Sequence, residues 1–155
     1  MTDSVSVGVD VGGTKVLALA LGPDGVEPVG ECRVPTPDSS DDLVAAIEEA
    51  ARNAAKDSGA TVGALAAGVP GLVDSEGVMR FGANLPGIVD LPFRQILAKN
   101  LGVPVAIDND ANAAAWGERV AGAGEGADHM LMVTLGTGVG GGIVLCGILL
   151  VGLDE

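Results

Sequence analysis

The chain has 155 residues, 48% of them hydrophobic, which makes one ordinary domain or part of a larger one with enough apolar material for a core. Only Phe81, Phe93 and Trp116 are aromatic, so that core must be built from Val, Leu, Ile and Ala. Eight basic residues stand against twenty-one acidic ones, and the net charge of -13 repels phosphate backbones and anionic membranes, which argues against nucleic acid and membrane partners.

Residues 4–11, SVSVGVDV, put Val5, Val7, Val9 and Val11 on one face and predict a strand. VLALALG and VEPVGECRV, joined by a Gly-Pro-Asp-Gly turn, predict two antiparallel partners for it. In DSSDDLVAAIEEAARNAAKDSG, capping residues open the segment, glycine closes it, and Leu43, Ala46, Ile47, Ala50, Ala51 and Ala54 recur at helical spacing. VGALAAGVP predicts a core strand, and GLVDSEGVMRFG a hairpin turned at Ser75-Glu76-Gly77. A short helix through Phe93, Ile96, Leu97 and Leu101 precedes a third core strand, PVAID. NDANAAAWGERVAG is a further helix, with Trp116 expected as its core anchor. HMLMVTL is again a strand, and GGIVLCGILLV a hairpin turned at Cys146-Gly147. A meander followed by alternating strands and helices implies an α/β fold, a mixed sheet with helices on its faces.

Cys32 and Cys146 are isolated, and with His129 as the single histidine they make no zinc-ligand spacing, so buried reduced thiols are expected. The acidic start MTDSVSVGVD enters a strand pattern at once, unlike a signal peptide, and no apolar run is long enough to span a membrane; both point to a cytoplasmic protein.

Three stretches can carry chemistry. In VDVGGTK, Asp10 closes a strand, Gly12 and Gly13 turn the chain, and Thr14 and Lys15 open the next strand. Backbone amides, a hydroxyl and an ammonium can hold phosphate oxygens there, and a strand-end Asp can position Mg²⁺ or its water. The same residues also fit a plain hairpin turn. VTLGTGVGGG contains a GxGxxG spacing, but an apolar strand follows where a dinucleotide fold needs a helix, so a second phosphate clamp with Thr134 and Thr137 fits better than a dinucleotide loop. In AIDNDANAAAWGE, Asp110 opens a helix whose free amides favour the ionised carboxylate. Such an Asp, aimed at a hydroxyl, can take its proton as the oxygen attacks phosphorus. Asp and Asn are equally ordinary helix caps. The loops GVPGLVD and NLPG read by themselves as turns.

In this order and spacing, DVGGTK, GVPGLVD, NLPG, DNDANAAAWGE and TLGTGVGGG closely resemble the ROK family of sugar kinases and repressors, its glucokinases above all, from about Val5 to Gly152. The resemblance implies an actin-like, ribonuclease-H-like fold of two lobes. Residues 1–121 would be the N-terminal lobe and 122–155 the start of a truncated C-terminal lobe. It implies ATP-dependent phosphorylation of glucose at the 6-hydroxyl, with ATP and Mg²⁺ required, and a homo-oligomer, a dimer, in full-length members. Asp10, Gly12, Gly13, Thr14 and Lys15 would form the first phosphate loop, and Thr134, Gly136, Thr137, Gly138 and Gly140 the second. Asp110 would be the catalytic base. Gly71, Asn84, Asn109 and Asp110 would hold the sugar, and Asp10 would hold Mg²⁺ through water.

The family's ExGH motif, cysteine-rich zinc site and adenosine pocket do not occur in this sequence, so the chain by itself is expected to be inactive or weak as a kinase. Cys146, Ile148 and Val151 also stand where the family commonly carries polar or basic residues. Other ROK hexose or N-acetylmannosamine kinases, a polyphosphate donor and a non-catalytic sugar-binding or regulatory module are the competing readings. A regulator of this family carries a DNA-binding winged helix ahead of the first loop, whereas this sequence starts at the first strand.

The acidity itself fits either a salt-rich cytoplasm or an ordinarily acidic enzyme. Thermal unfolding from dilute to molar salt separates the two: a rising Tm selects the first, and a flat or falling one the second.

Overall fold

The computed structural model describes residues 3–82, 85, 88–136 and 138–151. In chain order these are β1 (Ser4–Val11), β2 (Lys15–Leu21), β3 (Pro28–Pro35), α1 (Ser40–Asp57), β4 (Thr61–Val69), β5 (Gly71–Val73), β6 (Met79–Gly82) and β7 (Val89–Leu91). Then follow α2 (Phe93–Leu101), β8 (Val105–Asn109), α3 (Asp110–Ala121), β9 (Met130–Leu135), β10 (Val139–Leu145) and β11 (Ile148–Leu150).

The main sheet has the order β3-β2-β1-β4-β8. Its first three strands are the expected antiparallel meander, and β4 and β8 add in parallel on the other side of β1. The alternation in β1 buries Val7, Val9 and Val11 on one face, beside Val16, Ala18 and Ala20 of β2 and Leu65, Ala67 and Val69 of β4. Helix α1 lies on that face. Its N-cap, Ser39, accepts a hydrogen bond from the Asp42 amide, with Asp41 and Asp42 in the first turn and Lys56 in the last, as the helix dipole favours. Leu43 and Ile47 are fully buried beneath it, and each contributes about 2 kcal/mol of transfer free energy.

The expected hairpin at residues 71–82 is β5–β6, with the Asp74 carboxylate accepting from the amides of Glu76 and Val78, both at 2.9 Å. A third strand, β7, joins β6, although the sequence pattern gives no sign of it. It has only three residues, and Asp90 sits in it at φ 51°, a conformation unlike a strand's.

Helix α3 is packed between two sheets, with β4 and β8 on one side and the separate antiparallel sheet β11-β10-β9 on the other. Small residues permit this. A Cβ on Gly68 of β4 would stand 3.2 Å from the Asp110 Cα and 3.4 Å from the Ala113 Cβ. A Cβ on Gly142 of β10 would overlap the Ala115 Cβ and stand 3.1 Å from the Ala111 carbonyl oxygen. The tight fit corrects the expectation for Trp116, which is 45% exposed: the contact face of α3 is made of Ala111 and Ala115, where an indole has no room. The expectation for the thiols is corrected too. Both are free, but Cys32 is only partly buried and Cys146 is exposed, at φ 51° in the tight turn that reverses the chain into β11. His129, by its ring Nδ1, accepts a hydrogen bond from the Cys146 amide at 3.2 Å and so fixes that turn. Among the described residues no helix is long and apolar enough to cross a membrane.

The packing around α3 gives a paired test by thermal or denaturant unfolding. Gly142→Ala places a methyl against the backbone-held Ala115 and should destabilise by about 1–3 kcal/mol. Gly136→Ala meets nothing within 4 Å and should stay within about 0.5 kcal/mol of wild type.

Candidate active site

The C-terminal ends of β1, β4 and β8, the N-terminus of α3 and the β9–β10 turn meet at one cleft of about 720 Å³. It is lined by Asp10, Gly12 and Gly13 from the first glycine turn, by Gly71, Asn109 and Asp110, and by Thr134, Gly136, Gly138 and Gly140 from the second. The two glycine turns, more than a hundred residues apart in sequence, thus share one cavity with the expected base. Thr14 and Lys15 lie outside the lining, exposed at the start of β2. Asn84 and Thr137 are outside the described residues.

The first turn is closed by the Gly12 amide donating to the Lys15 carbonyl at 2.9 Å. Thr36, just after β3, braces it twice: its hydroxyl donates to the Gly12 carbonyl at 2.6 Å and its amide to the Thr14 carbonyl at 3.2 Å. Thr36 carries no motif. Its signal is the meander register, which pairs Lys15 with Pro35 and brings the next residue beside the turn.

Asp110 is held by its neighbours. The Asn109 side-chain oxygen caps α3 by accepting from the amides of Ala111 and Asn112, at 3.0 and 3.2 Å. The Asn109 Nδ2 donates to the Gly71 carbonyl at 3.0 Å, tying the helix start to β5. Asp108 accepts from the Asn109 amide and from the Asn112 Nδ2, at 2.7 and 3.0 Å, and so spans the break between strand and helix. One Asp110 oxygen, Oδ1, accepts from the Ala111 amide at 2.9 Å. With the helix capped by Asn109, the Asp110 carboxylate is not needed as the cap.

The glycines of the second turn divide by what surrounds them. Gly136 and Gly138 face open space, as a ligand-accepting loop requires, and the Gly136 amide donates to the Gly138 carbonyl at 2.9 Å. A Cβ on Gly140 would stand 2.7 Å from the Thr134 hydroxyl and 3.0 Å from the Ala111 Cβ, so this glycine lets the turn lie against α3. The cleft also takes in Leu72 and Phe81, cross-strand partners on β5 and β6 that are 65% and 60% exposed. They provide an apolar wall to the cavity that the turn-like sequence does not announce.

Partial burial, and then the charge of Asp110, push the Asp10 carboxyl above its usual range, while Lys15 pulls it back. Two carboxyl groups that line one cleft and sense each other's charge are a donor pair that a cation could share. Among the described residues no group of three or more His, Cys, Asp or Glu side chains forms a metal cage, so any cation held there would take most of its ligands from substrate and water.

The sequence profile of the ROK family matches residues 6–154. A glucokinase of Streptomyces coelicolor is 36% identical over 142 residues, covering 91% of this chain and 44% of that relative. An N-acetyl-D-glucosamine kinase of Escherichia coli is 38% identical over 143 residues, 90% of this chain and 46% of that relative. The crystal structure of a ROK family glucokinase from Streptomyces griseus in complex with glucose and AMPPNP superposes with a TM-score of 0.89 at 36% identity, over 97% of this chain and 47% of that one. The chain therefore spans about half the length of these relatives.

The Asp10 environment has a consequence for stability. A carboxyl whose pKa is raised on folding binds its proton more tightly in the folded state, so stability is lost as pH rises past the ordinary value of 3.8. Asp10→Asn should therefore raise Tm at pH 7, by about 1–3 °C for a domain of this size. The gain should fade in acid, as the pH drops well below the ordinary value of 3.8 and Asp10 is protonated in the folded and unfolded chain alike. A gain that persists in acid would rule this origin out.

Proposed function

The chain belongs to the ROK family, with the actin-like α/β fold of its sugar kinases, and from that premise we propose that it forms the sugar- and phosphate-binding half of an ATP-dependent glucokinase. The observation that supports this most directly is the meeting of both glycine turns and Asp110 in one cleft. In this reading Asp110 is the general base. Its Oδ1 is occupied by the Ala111 amide, which leaves Oδ2 to take the proton of the glucose 6-hydroxyl as that oxygen attacks the γ-phosphorus of ATP. Asp10, Gly12 and Gly13 on one side and Thr134, Gly136, Gly138 and Gly140 on the other would hold the phosphates, with Gly136 and Gly138 leaving room for close approach to the backbone. Gly71 and Asn109 would line the sugar position, with Asn84 expected from the sequence to join them, and Asn109 also locks the helix that carries the base. Mg²⁺ held by Asp10, directly or through water, would neutralise the phosphate oxygens during transfer.

Phosphoryl transfer of this kind depends on positioning and on exclusion of water. The cleft lined by the described residues is open, walled by β-strand ends, turns, the β5–β6 hairpin and the start of α3. We therefore propose that residues 1–155 alone bind the sugar but turn over slowly, and that residues 122–155 are the start of a second lobe. An N-acetylated hexose is the second reading, favoured by the 38% identity to the N-acetyl-D-glucosamine kinase.

Calorimetry and a coupled assay test the proposal together. The chain should take up glucose, and Asp110→Asn should weaken that binding by about tenfold or more, the effect of losing one charged hydrogen-bond acceptor. The same substitution should bring ATP-dependent sugar phosphorylation down to the blank without altering the far-UV spectrum. Tighter binding of N-acetyl-D-glucosamine than of glucose selects the second reading. A chain that binds neither sugar nor AMPPNP sinks both.

A further inference from the structure

Residues 34–38 read Val-Pro-Thr-Pro-Asp, so Thr36 stands between two residues that have no backbone N–H to give. Pro35 and Pro37 fix their own φ angles, and Pro37 disfavours helical backbone at Thr36. The hydroxyl and the amide of Thr36 are therefore two donors carried on one stiff, half-buried segment. Both reach into the first glycine turn, the hydroxyl to the Gly12 carbonyl at 2.6 Å and the amide to the Thr14 carbonyl at 3.2 Å. The Lys15 carbonyl is taken by the Gly12 amide at 2.9 Å.

A trans peptide points its C=O and its N–H in opposite directions. Holding the Gly12 carbonyl on Thr36 thus turns the Gly13 amide away from Thr36, and Gly12 and Gly13 line the cleft beside Asp10. Glycine at both positions puts no Cβ in the way of the reversed peptide, with its carbonyl outward and its amide back toward Thr36. An anion entering the cleft would meet a donor in the first arrangement, and in the second a carbonyl oxygen next to the Asp10 carboxyl. We propose that Thr36 is the positioning residue of the first glycine turn, holding the Gly12–Gly13 peptide with its amide toward the cleft so that the turn receives phosphate oxygens. This deepens the sugar-kinase reading and rests on it. Thr36 is not among the residues lining the cleft and acts through the turn.

Calorimetry of the 155-residue chain with AMPPNP, tripolyphosphate and glucose tests the proposal. Thr36→Val keeps the shape of the side chain and leaves the Gly12 carbonyl without its donor. It should weaken AMPPNP and tripolyphosphate by about tenfold or more and leave glucose within about twofold, since the sugar side rests on other residues. Thr36→Ser, which restores the donor, should bind all three within about threefold of wild type. A readout without ligand accompanies these. The NOE between the Gly12 Hα protons and the Gly13 amide proton reports the orientation of the peptide, and it should change in Thr36→Val but not in Thr36→Ser. A wild type that binds neither AMPPNP nor tripolyphosphate removes the phosphate-binding part of the sugar-kinase reading, and the proposal with it. A wild type that binds either, with Thr36→Val equal to it, overturns the proposal alone. So does a parallel loss of glucose, a serine variant no better than the valine one, or an unchanged NOE. Should Thr36→Val not fold, Thr36→Ala carries the same expectations. If neither folds where Thr36→Ser does, Thr36 supports the fold as a whole and the proposal falls.

Discussion

Helix α3 must lie within backbone contact of two sheets at once, and the candidate site exists because it does. The first turn of that helix brings Asp110 to the ends of β4 and β8, while Ala111 and Ala115, one turn apart, lie against β10. Gly68, Gly140 and Gly142 remove the side chains that would hold the layers apart. A few tenths of an ångström at these contacts would move the second glycine turn relative to Asp110. Reactions that depend on positioning lose rate steeply with such displacements. The alanine-rich sequence of α3 is therefore a geometric requirement before it is a matter of helix propensity.

The same proximity sets the electrostatics. Partial burial first, and then the charge of Asp110, disfavour ionisation of Asp10, and Lys15 only partly compensates. A fold selected for stability alone would not place two carboxylates there in a chain already at -13. In the proposed kinase reading, a cation and phosphate oxygens entering the cleft would offset their cost, the usual relation between a perturbed carboxyl and a binding site.

How much of this was legible depended on whether the pattern was local. β1 and α1 announce themselves, because alternation in SVSVGVDV and the Ser39 cap with its apolar stripe are properties of the segments themselves. The glycine turns and Asp110 are likewise visible as motifs, and their order carried the family. What escaped were features fixed by tertiary context. β7 exists because β6 offers an edge, Thr36 matters because the meander register delivers it to Gly12, and Trp116 is turned outward because both faces of its helix are packed too closely for it. Leu72 and Phe81 look like hairpin filler until their pairing sets them in the cleft wall.

The two glycine turns are built alike and supported unequally. Each joins the first two strands of an antiparallel meander, β1–β2–β3 or β9–β10–β11. The first meander is backed by α1, extended by β4 and β8, and braced at its turn by Thr36. The second has α3 on one face and bare aliphatic side chains on the other. Local opening free energy follows buried apolar contact, so the second turn sits on the less stable of the two supports. Whatever covers the face carrying Leu131 and Ile148 thus also steadies Thr134 and Gly136 at the cleft. Burial on one side of that sheet and the placement of the glycine turn at its end are therefore the same structural problem.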